Sequence, residues 1–163
     1  MAKRKNKNRK EEKAHGVNWK VLIVSIVIVY MSAYFGSLVT DVGPWYESIK
    51  PSITPPNWVF PIVWTILFFM IGLSMYYSWV NTSIKSKVFL LYGINLVYNV
   101  LWSMYYFWFK QIGFAFYILI LLWFSILLIM VYYWGKSRIS SYLMIPYWLW
   151  VSFAGVLNYL SIK

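Results

Sequence analysis

Amide, hydroxyl and aromatic side chains share one face in each of two long apolar segments, and this pattern could bind a small molecule. In the third of the chain's five apolar segments, residues 88–109, such side chains recur at i, i+4, i+7, i+8 and i+11: Asn95, Asn99, Trp102, Ser103 and Tyr106. In the fifth, residues 141–161, the face at i, i+3, i+7 and i+11 consists of Tyr147, Trp150, the small Ala154 and Asn158. Residues at these spacings lie on one side of an α-helix. Because lipid cannot hydrogen-bond an amide, we expect both faces to point into the protein.

Two interpretations of these faces remain open. The amides of Asn95 and Asn158 could bond between helices, at about 0.6 kcal/mol per contact. Alternatively, amides and rings could line a cavity for a flat, mostly apolar ligand.

The tryptophans fall into two groups. Six of the eleven lie near the ends of the predicted membrane spans, where aromatic belts sit. Five lie deeper: Trp64, Trp102, Trp123, Trp148 and Trp150. We predict that the cavity lining includes Trp64, Asn99 and Trp150.

Several kinds of chemistry are excluded by missing residue types. The apolar segments contain no Asp, Glu, Lys, Arg or His, so a proton relay, a charged-ion path or a pair of catalytic carboxylates has no residues to use. The absence of cysteine excludes disulfides, Cys-ligated metals and thiol catalysis. We therefore expect no metal site, no cofactor and no active pump. Whether the protein is an enzyme stays open, with binding as the favoured alternative.

The elements that position these faces are membrane-spanning helices. Of the 163 residues, 61% are hydrophobic and only 12% are charged. A helix that crosses the hydrocarbon needs about 20 mostly apolar residues. Five segments satisfy this condition: 21–40, 57–80, 88–109, 112–134 and 141–161. The sequence thus predicts an all-α fold, an integral membrane bundle of five transmembrane helices whose short connections make sequential helices antiparallel neighbours.

Two flanking segments differ from the spans. Residues 1–20 are polar and basic, and we predict a disordered cytoplasmic tail that contacts anionic lipid headgroups rather than nucleic acid. The loop 41–56 contains four prolines, which make a regular helix improbable there. Its Trp45 and Tyr46 could fold over the bundle as a lid or sit at headgroup level, and both alternatives stay open.

The distribution of Lys and Arg predicts the orientation. With the N-terminus inside, the inner side holds 12 of these residues and the outer side holds 3. Because basic loops stay on the cytoplasmic side, we predict a multi-pass protein of the plasma membrane with its N-terminus inside and its C-terminus outside.

Three motifs together resemble the TspO/MBR family, which comprises tryptophan-rich sensory proteins and translocator proteins. The first reads Trp45-Tyr46-x-x-x-Lys50-Pro51-x-x-x-Pro55-Pro56-x-Trp58-x-Phe60-x-x-x-Trp64. The others are Asn99-x-x-Trp102-Ser103 and Pro146-Tyr147-x-x-Trp150-x-x-Phe153-Ala154-x-x-Leu157-Asn158-Tyr159. The resemblance covers residues 21–163. It implies a five-helix fold, a homodimer, and binding of porphyrin-like tetrapyrroles such as protoporphyrin.

The resemblance also implies roles for individual residues. Trp64 and Asn99 match positions that contact ligand, Trp150 and Ala154 match the pocket wall, and Tyr46 matches the lid. With the helical faces above, the expected ligand-binding set is Tyr46, Trp64, Asn99, Trp102, Ser103, Tyr147, Trp150 and Ala154, under a lid loop that includes Trp45, Pro51, Pro55 and Pro56. Many relatives carry an acidic residue early in the fourth helix, and this chain has none there.

Three functions are compatible with this resemblance. The leading one is a receptor or sensor that binds a porphyrin-like tetrapyrrole inside the bundle. An alternative is light-dependent breakdown of the porphyrin, with Trp64 and Trp150 as photochemical candidates. A photoexcited macrocycle held against an indole can exchange an electron with it or generate reactive oxygen beside it, so the ligand itself is the reactive group. A second alternative is passive transport of tetrapyrroles or other small apolar metabolites.

Overall fold

The computed structural model describes residues 16–162, which form a closed ring of long helices. The helices are α1 (Trp19–Leu38), the short α2 (Pro44–Ile49), α3 (Val59–Val80), α4 (Lys85–Ser103), α5 (Ile112–Trp134) and α6 (Arg138–Leu160). Going round the ring, α1 packs on α3, α3 on α6, α6 on α5, α5 on α4 and α4 on α1. Within the described residues, five helices are long and apolar enough to cross a membrane, and there is no strand. The predicted all-α, five-helix membrane fold is confirmed.

The helix starts differ slightly from the predicted ones because hydropathy ignores capping and interfacial charge. The side chain of Asn18 accepts a hydrogen bond from the backbone of Val21, so α1 begins at Trp19 and includes the last two residues of the predicted tail. Residues 1–15 of that tail lie outside the described residues. Helix α4 begins at Lys85 rather than at 88, because the ammonium of Lys85 donates to the carbonyl oxygens of Trp79 and Thr82 at the end of α3.

The third span does not end as a regular α-helix. A π-helical turn, Met104–Trp108, follows Ser103 and is closed by a 2.9 Å bond from the Phe109 backbone N–H to the Met104 carbonyl. Lys110 then adopts a left-handed conformation with φ of 55°, and the chain reverses into α5. Such single-turn insertions are common at functional sites. This one brings Tyr106 and Phe107 to the same end of the bundle as α2.

The first loop contains a helix where none was expected. Helix α2 starts at Pro44, and a proline at the first helical position loses nothing because its N–H would be unpaired anyway. The Lys50 N–H bonds to the Tyr46 carbonyl at 2.9 Å and ends the helix before Pro51. The prediction that the prolines prevent a regular helix was therefore wrong for this segment. We call the end of the bundle that carries α2 the loop end.

The half of the bundle away from the loop end is closely packed around four hydroxyl groups. Ser74 and Ser78 of α3 contact the Tyr92 hydroxyl of α4 at 2.6 and 2.9 Å. The Ser78 hydroxyl donates to the Ser140 hydroxyl of α6 at 2.9 Å, and all four residues are fully buried. Because every hydroxyl in this cluster has a partner, the cluster holds three helices together.

Candidate ligand-binding site

A cavity of about 390 Å³ lies between the helices at the loop end. It is within the range of roughly 300–1,000 Å³ that is typical of small-molecule sites. Helices α1, α3, α4 and α6, the π-helical turn and the first loop all contribute to its wall. The lining residues are Ala33, Gly36, Ser37, Thr40, Val42, Tyr46, Asn57, Phe60, Pro61, Trp64, Phe68, Asn99, Trp102, Ser103, Tyr106, Phe107, Ala154, Leu157 and Asn158.

One wall of the cavity consists of aromatic rings at shallow angles to one another. Trp64 stacks on Phe68, with ring centroids 5.4 Å apart and an interplanar angle of 30°. Trp64 and Trp102 are 6.3 Å apart at 34°, and Trp102 and Tyr106 are 5.8 Å apart at 40°. Because the two indoles are inclined so little, this wall offers a broad apolar surface to a flat ligand.

Amide groups hold the rings of this wall in place. The amide nitrogen of Asn99 donates to the hydroxyl of Tyr147 at 3.1 Å. The amide oxygen of Asn158 accepts from the indole N–H of Trp102 at 3.1 Å, and its nitrogen donates to the Ile112 carbonyl at 3.0 Å. Asn158 therefore bonds between helices and also lines the cavity. Asn95 bonds to Ser125 at 2.8 Å and is not part of the lining.

Some polar groups of the lining are available to a ligand. Among residues 16–162, they include the indole N–H of Trp64 and the hydroxyls of Tyr46 and Ser103, which have no hydrogen-bond partner. The lining contains no Asp, Glu, Lys, Arg or His. The site is thus a neutral aromatic chamber with few polar groups, and the described residues contain no group of His, Cys, Asp or Glu that could hold a metal ion.

Helix α2 covers the cavity. Tyr46 is only 6% exposed, and its ring packs on Phe107 at 5.7 Å and on Tyr106 at 6.5 Å. Burial, followed by the neighbouring Tyr106 phenol and the Glu47 carboxylate, raises the pKa of Tyr46 to about 12, so this hydroxyl stays neutral at physiological pH. We call α2, which carries Tyr46, the roof.

A carboxylate ties the roof to the start of α3. Glu47 pairs with the ammonium of Lys50 at 2.6 Å and accepts a 2.8 Å hydrogen bond from the amide of Asn57. These two hydrogen bonds, together with the charge of Lys50, hold the pKa of the Glu47 carboxyl below its usual range. Since Asn57 lines the cavity, the roof and the cavity wall share one polar bridge.

Six of the eight expected ligand-binding residues line the cavity: Tyr46, Trp64, Asn99, Trp102, Ser103 and Ala154. Tyr147 is fully buried behind Asn99 and orients its amide. Trp150 is also absent from the lining. Its ring packs against Phe60, which does line the cavity, at 5.8 Å. The lid-loop residues Trp45, Pro51, Pro55 and Pro56 lie outside the lining, although Trp45 packs on Tyr106 at 6.2 Å.

The lining on α1 was missed from the sequence. Ala33, Gly36, Ser37 and Thr40 recur at i, i+3, i+4 and i+7, so a stripe of small residues was visible there. Ser32 and Gly36 also form a small-xxx-small pair, which is the kind of spacing that packs helices together. The Ser32 hydroxyl donates to the Val29 carbonyl within α1 at 2.7 Å, whereas Gly36 faces the cavity.

Known sequences align with nearly all of the described chain. Residues 22–162 match the sequence model of the TspO/MBR family. The tryptophan-rich protein TspO of Archaeoglobus fulgidus is 34% identical over 146 residues, which are 85% of this chain and 92% of that protein. The protein of the same name from Chlorobaculum tepidum is 37% identical over 121 residues, 71% of this chain and 76% of its own length. The translocator protein of Bos taurus is 31% identical over 120 residues, 71% of each chain.

Proposed function

This chain belongs to the TspO/MBR family of membrane proteins, and from that premise we propose that it is a receptor-type protein that binds a porphyrin-like tetrapyrrole in the cavity at the loop end. The observation that carries the proposal is the neutral chamber walled by Trp64 and Trp102 and covered by Tyr46. A planar, largely apolar macrocycle is the kind of ligand whose shape and polarity match such a chamber.

Burial of apolar surface and ring stacking together supply most of the expected affinity. Aromatic contacts in offset or tilted geometry contribute about 0.5–1.5 kcal/mol each beyond the area that they bury. Burial of apolar surface adds about 25 cal/mol per Å². The indoles of Trp64 and Trp102 are already fixed by packing and by the Asn158 bond, so little ordering of side chains opposes binding.

The polarity of the wall determines how such a ligand would lie. The free N–H of Trp64 and the hydroxyl of Ser103 can bond to the polar atoms of the macrocycle. Since the lining has no cationic side chain, the acidic substituents of a porphyrin must stay at the mouth of the cavity, where water can solvate them. The macrocycle therefore enters with its apolar edge first.

Titration of the purified protein with protoporphyrin, followed by quenching of tryptophan fluorescence, tests the proposal. Trp64→Phe should weaken binding by about three- to tenfold because it removes part of the stacking surface and one N–H donor. Asn99→Ala should weaken it by a similar factor, because the Tyr147 hydroxyl loses its partner and the wall loses an amide.

The matched control is Trp134→Phe, since Trp134 is 47% exposed and packs on Tyr142 rather than on the cavity wall. It should leave the dissociation constant unchanged. No quenching in the native protein, or equal affinity in the native protein and both cavity variants, would reject the proposal.

Binding is favoured over the two alternative functions by the positions of Trp150 and the serine–tyrosine cluster. Photochemical breakdown was expected to use both Trp64 and Trp150, but only Trp64 lines the cavity. A transport path would have to continue through the half of the bundle that Ser74, Ser78 and Tyr92 fill. A chamber that is closed at its inner end fits a receptor better than a channel.

A further inference from the structure

Helices α1 and α3 touch closely in the middle of the bundle, and both line the cavity at the loop end. A Cβ atom placed on Gly72 of α3 would lie 2.5 Å from the Ile26 side chain and 3.2 Å from the Ile26 Cα. Nearer the loop end, the Tyr30 hydroxyl of α1 donates to the Thr65 carbonyl of α3 at 2.9 Å. Beyond this bond, the residues that the two helices turn toward each other line the cavity. The cavity therefore lies on the loop-end side of this bond, against both helices.

The cavity reaches the protein surface beside α1 and α3. Four lining residues are exposed, and all of them belong to α1, to α3 or to the start of the first loop: Ser37, Thr40, Val42 and Pro61. The lining residues from the α4 and α6 helices, such as Asn99, Ser103 and Ala154, are buried. We call the opening between α1 and α3 the slot. The hydrogen bond between Tyr30 and Thr65 closes the slot on the side away from the loop end.

The surface on both sides of the slot is apolar. Phe35 and Leu38 on α1 are 53% and 59% exposed, and Ile62 on α3 is 53% exposed. In a membrane-spanning bundle, exposed apolar side chains of this size face lipid. The slot therefore opens toward the acyl chains and headgroups of the bilayer, rather than directly into water.

The roof is closed more firmly than the slot. Opening the roof would break the ring contacts of Tyr46 with Tyr106 and Phe107 and the hydrogen bond between Asn57 and Glu47. Passage through the slot requires no such loss, because its α1 side consists of small residues and α1 has only three buried side chains or glycines, namely Ser25, Val29 and Gly36. Among the long helices, α1 is the one that the bundle holds least.

We propose that the cavity takes its ligand from the lipid phase, through the slot between α1 and α3, while the roof remains shut. The inference rests on the proposed function and narrows the ligand class to planar amphiphiles that dissolve in the bilayer. Such a molecule approaches with its apolar edge in the hydrocarbon and its acidic edge at headgroup depth, which is the orientation that the neutral wall also requires.

Because the chain has no cysteine, the two routes can be closed separately by engineered cysteine pairs. Ser37→Cys with Pro61→Cys places thiols on opposite sides of the slot. Trp45→Cys with Lys110→Cys ties the roof to the turn before α5, where the Lys110 ammonium lies 5.2 Å from the Trp45 ring. Each double variant is reconstituted in vesicles and bridged with a short, reducible bifunctional reagent. Its own unbridged and re-reduced forms are the controls.

The readout is the rate at which protoporphyrin, delivered from donor vesicles, quenches tryptophan fluorescence. Bridging the slot should slow association at least about tenfold, and reduction should restore the rate. Bridging the roof should change the rate by less than about twofold. As a second measurement, a bulky thiol reagent on Ser37→Cys alone should slow association in the same way.

Slowing by the roof bridge but not by the slot bridge or the Ser37 adduct would overturn the inference. So would equal association rates when the ligand is delivered from membranes and from a water-soluble carrier. If the native chain and the unbridged variants show no quenching at all, the proposed function itself fails.

Discussion

Asn158 and Asn95 have the same side chain in different surroundings. Asn158 lines the cavity and holds the indole of Trp102 by accepting its N–H at 3.1 Å. Asn95 lies outside the lining, donates to Ser125 at 2.8 Å, and has a buried amide oxygen without a partner among the described residues. Both bonds stabilise contacts between helices, at a typical 0.5–1.5 kcal/mol each. Only the bond of Asn158 also fixes a ring against which a ligand would stack.

The two asparagines therefore provide a matched pair of substitutions. Asn158→Leu should lower the free energy of unfolding by about 1–3 kcal/mol, because the Trp102 N–H is left buried without an acceptor, and it should also weaken protoporphyrin binding severalfold. Asn95→Leu should lower thermal stability and leave the affinity unchanged. Thermal unfolding in detergent and fluorescence titration measure the two effects. Equal affinity loss in both variants would mean that Asn158 acts only through overall stability.

At the scale of single residues, helical spacing predicts a face but not which neighbour comes between that face and a ligand. Asn99, Trp102 and Ser103, at i, i+3 and i+4, all line the cavity. Trp150 also satisfied the spacing on its own helix, yet Phe60 of α3 is its ring neighbour and forms the wall instead. Such an interposed ring depends on the packing of two helices, which periodicity within one helix cannot report.

At the scale of elements, length and hydropathy predicted the five spans, because a helix that crosses lipid must satisfy its own backbone. Helix α2 and the π-helical turn were not predicted. Helix α2 depends on Pro44 at its first position, where proline is harmless. The turn Met104–Trp108 has no mark in composition, and it places Tyr106 and Phe107 against the Tyr46 ring. Both elements form the covered end of the cavity.

The attachment of the roof should depend on the charge of Glu47. Lys50 and Asn57 lower the pKa of the Glu47 carboxyl in the folded state. The stabilisation of the roof by the Glu47 charge is therefore present above the unfolded-state pKa, and it is lost as the pH falls through the lower, folded-state pKa. Hydrogen exchange of the Lys50 amide, which bonds to the Tyr46 carbonyl within α2 at 2.9 Å, measures how often the last turn of α2 opens beside the Glu47–Asn57 bond. Glu47→Gln should speed that exchange severalfold at neutral pH, after correction for intrinsic rates.

Acidification below the folded-state pKa of Glu47 should bring the native chain to the exchange rate of the variant. Amides in the middle of α5, far from the roof, should exchange equally in both proteins. A Lys50 amide that exchanges at the same rate with and without the Glu47 charge would show that ring packing alone holds the roof.

At the scale of the whole molecule, the bundle has an open half and a packed half. The cavity and the slot occupy the loop end, whereas serine and tyrosine hydroxyls fill the other end. The count of 12 basic residues against 3 predicts that the packed half lies toward the cytoplasm and the cavity toward the outside. Location in the plasma membrane, contact of the basic tail with anionic headgroups, and a homodimer remain predictions.

The structure of the protein in complex with protoporphyrin shows where the ligand binds. We expect a macrocycle inside the cavity, stacked on Trp64 and Trp102 and beneath Tyr46, with its acidic substituents at the mouth beside the exposed Thr40 and Pro61. A macrocycle bound on the lipid-facing surface of the helices, with the cavity unoccupied, would contradict it.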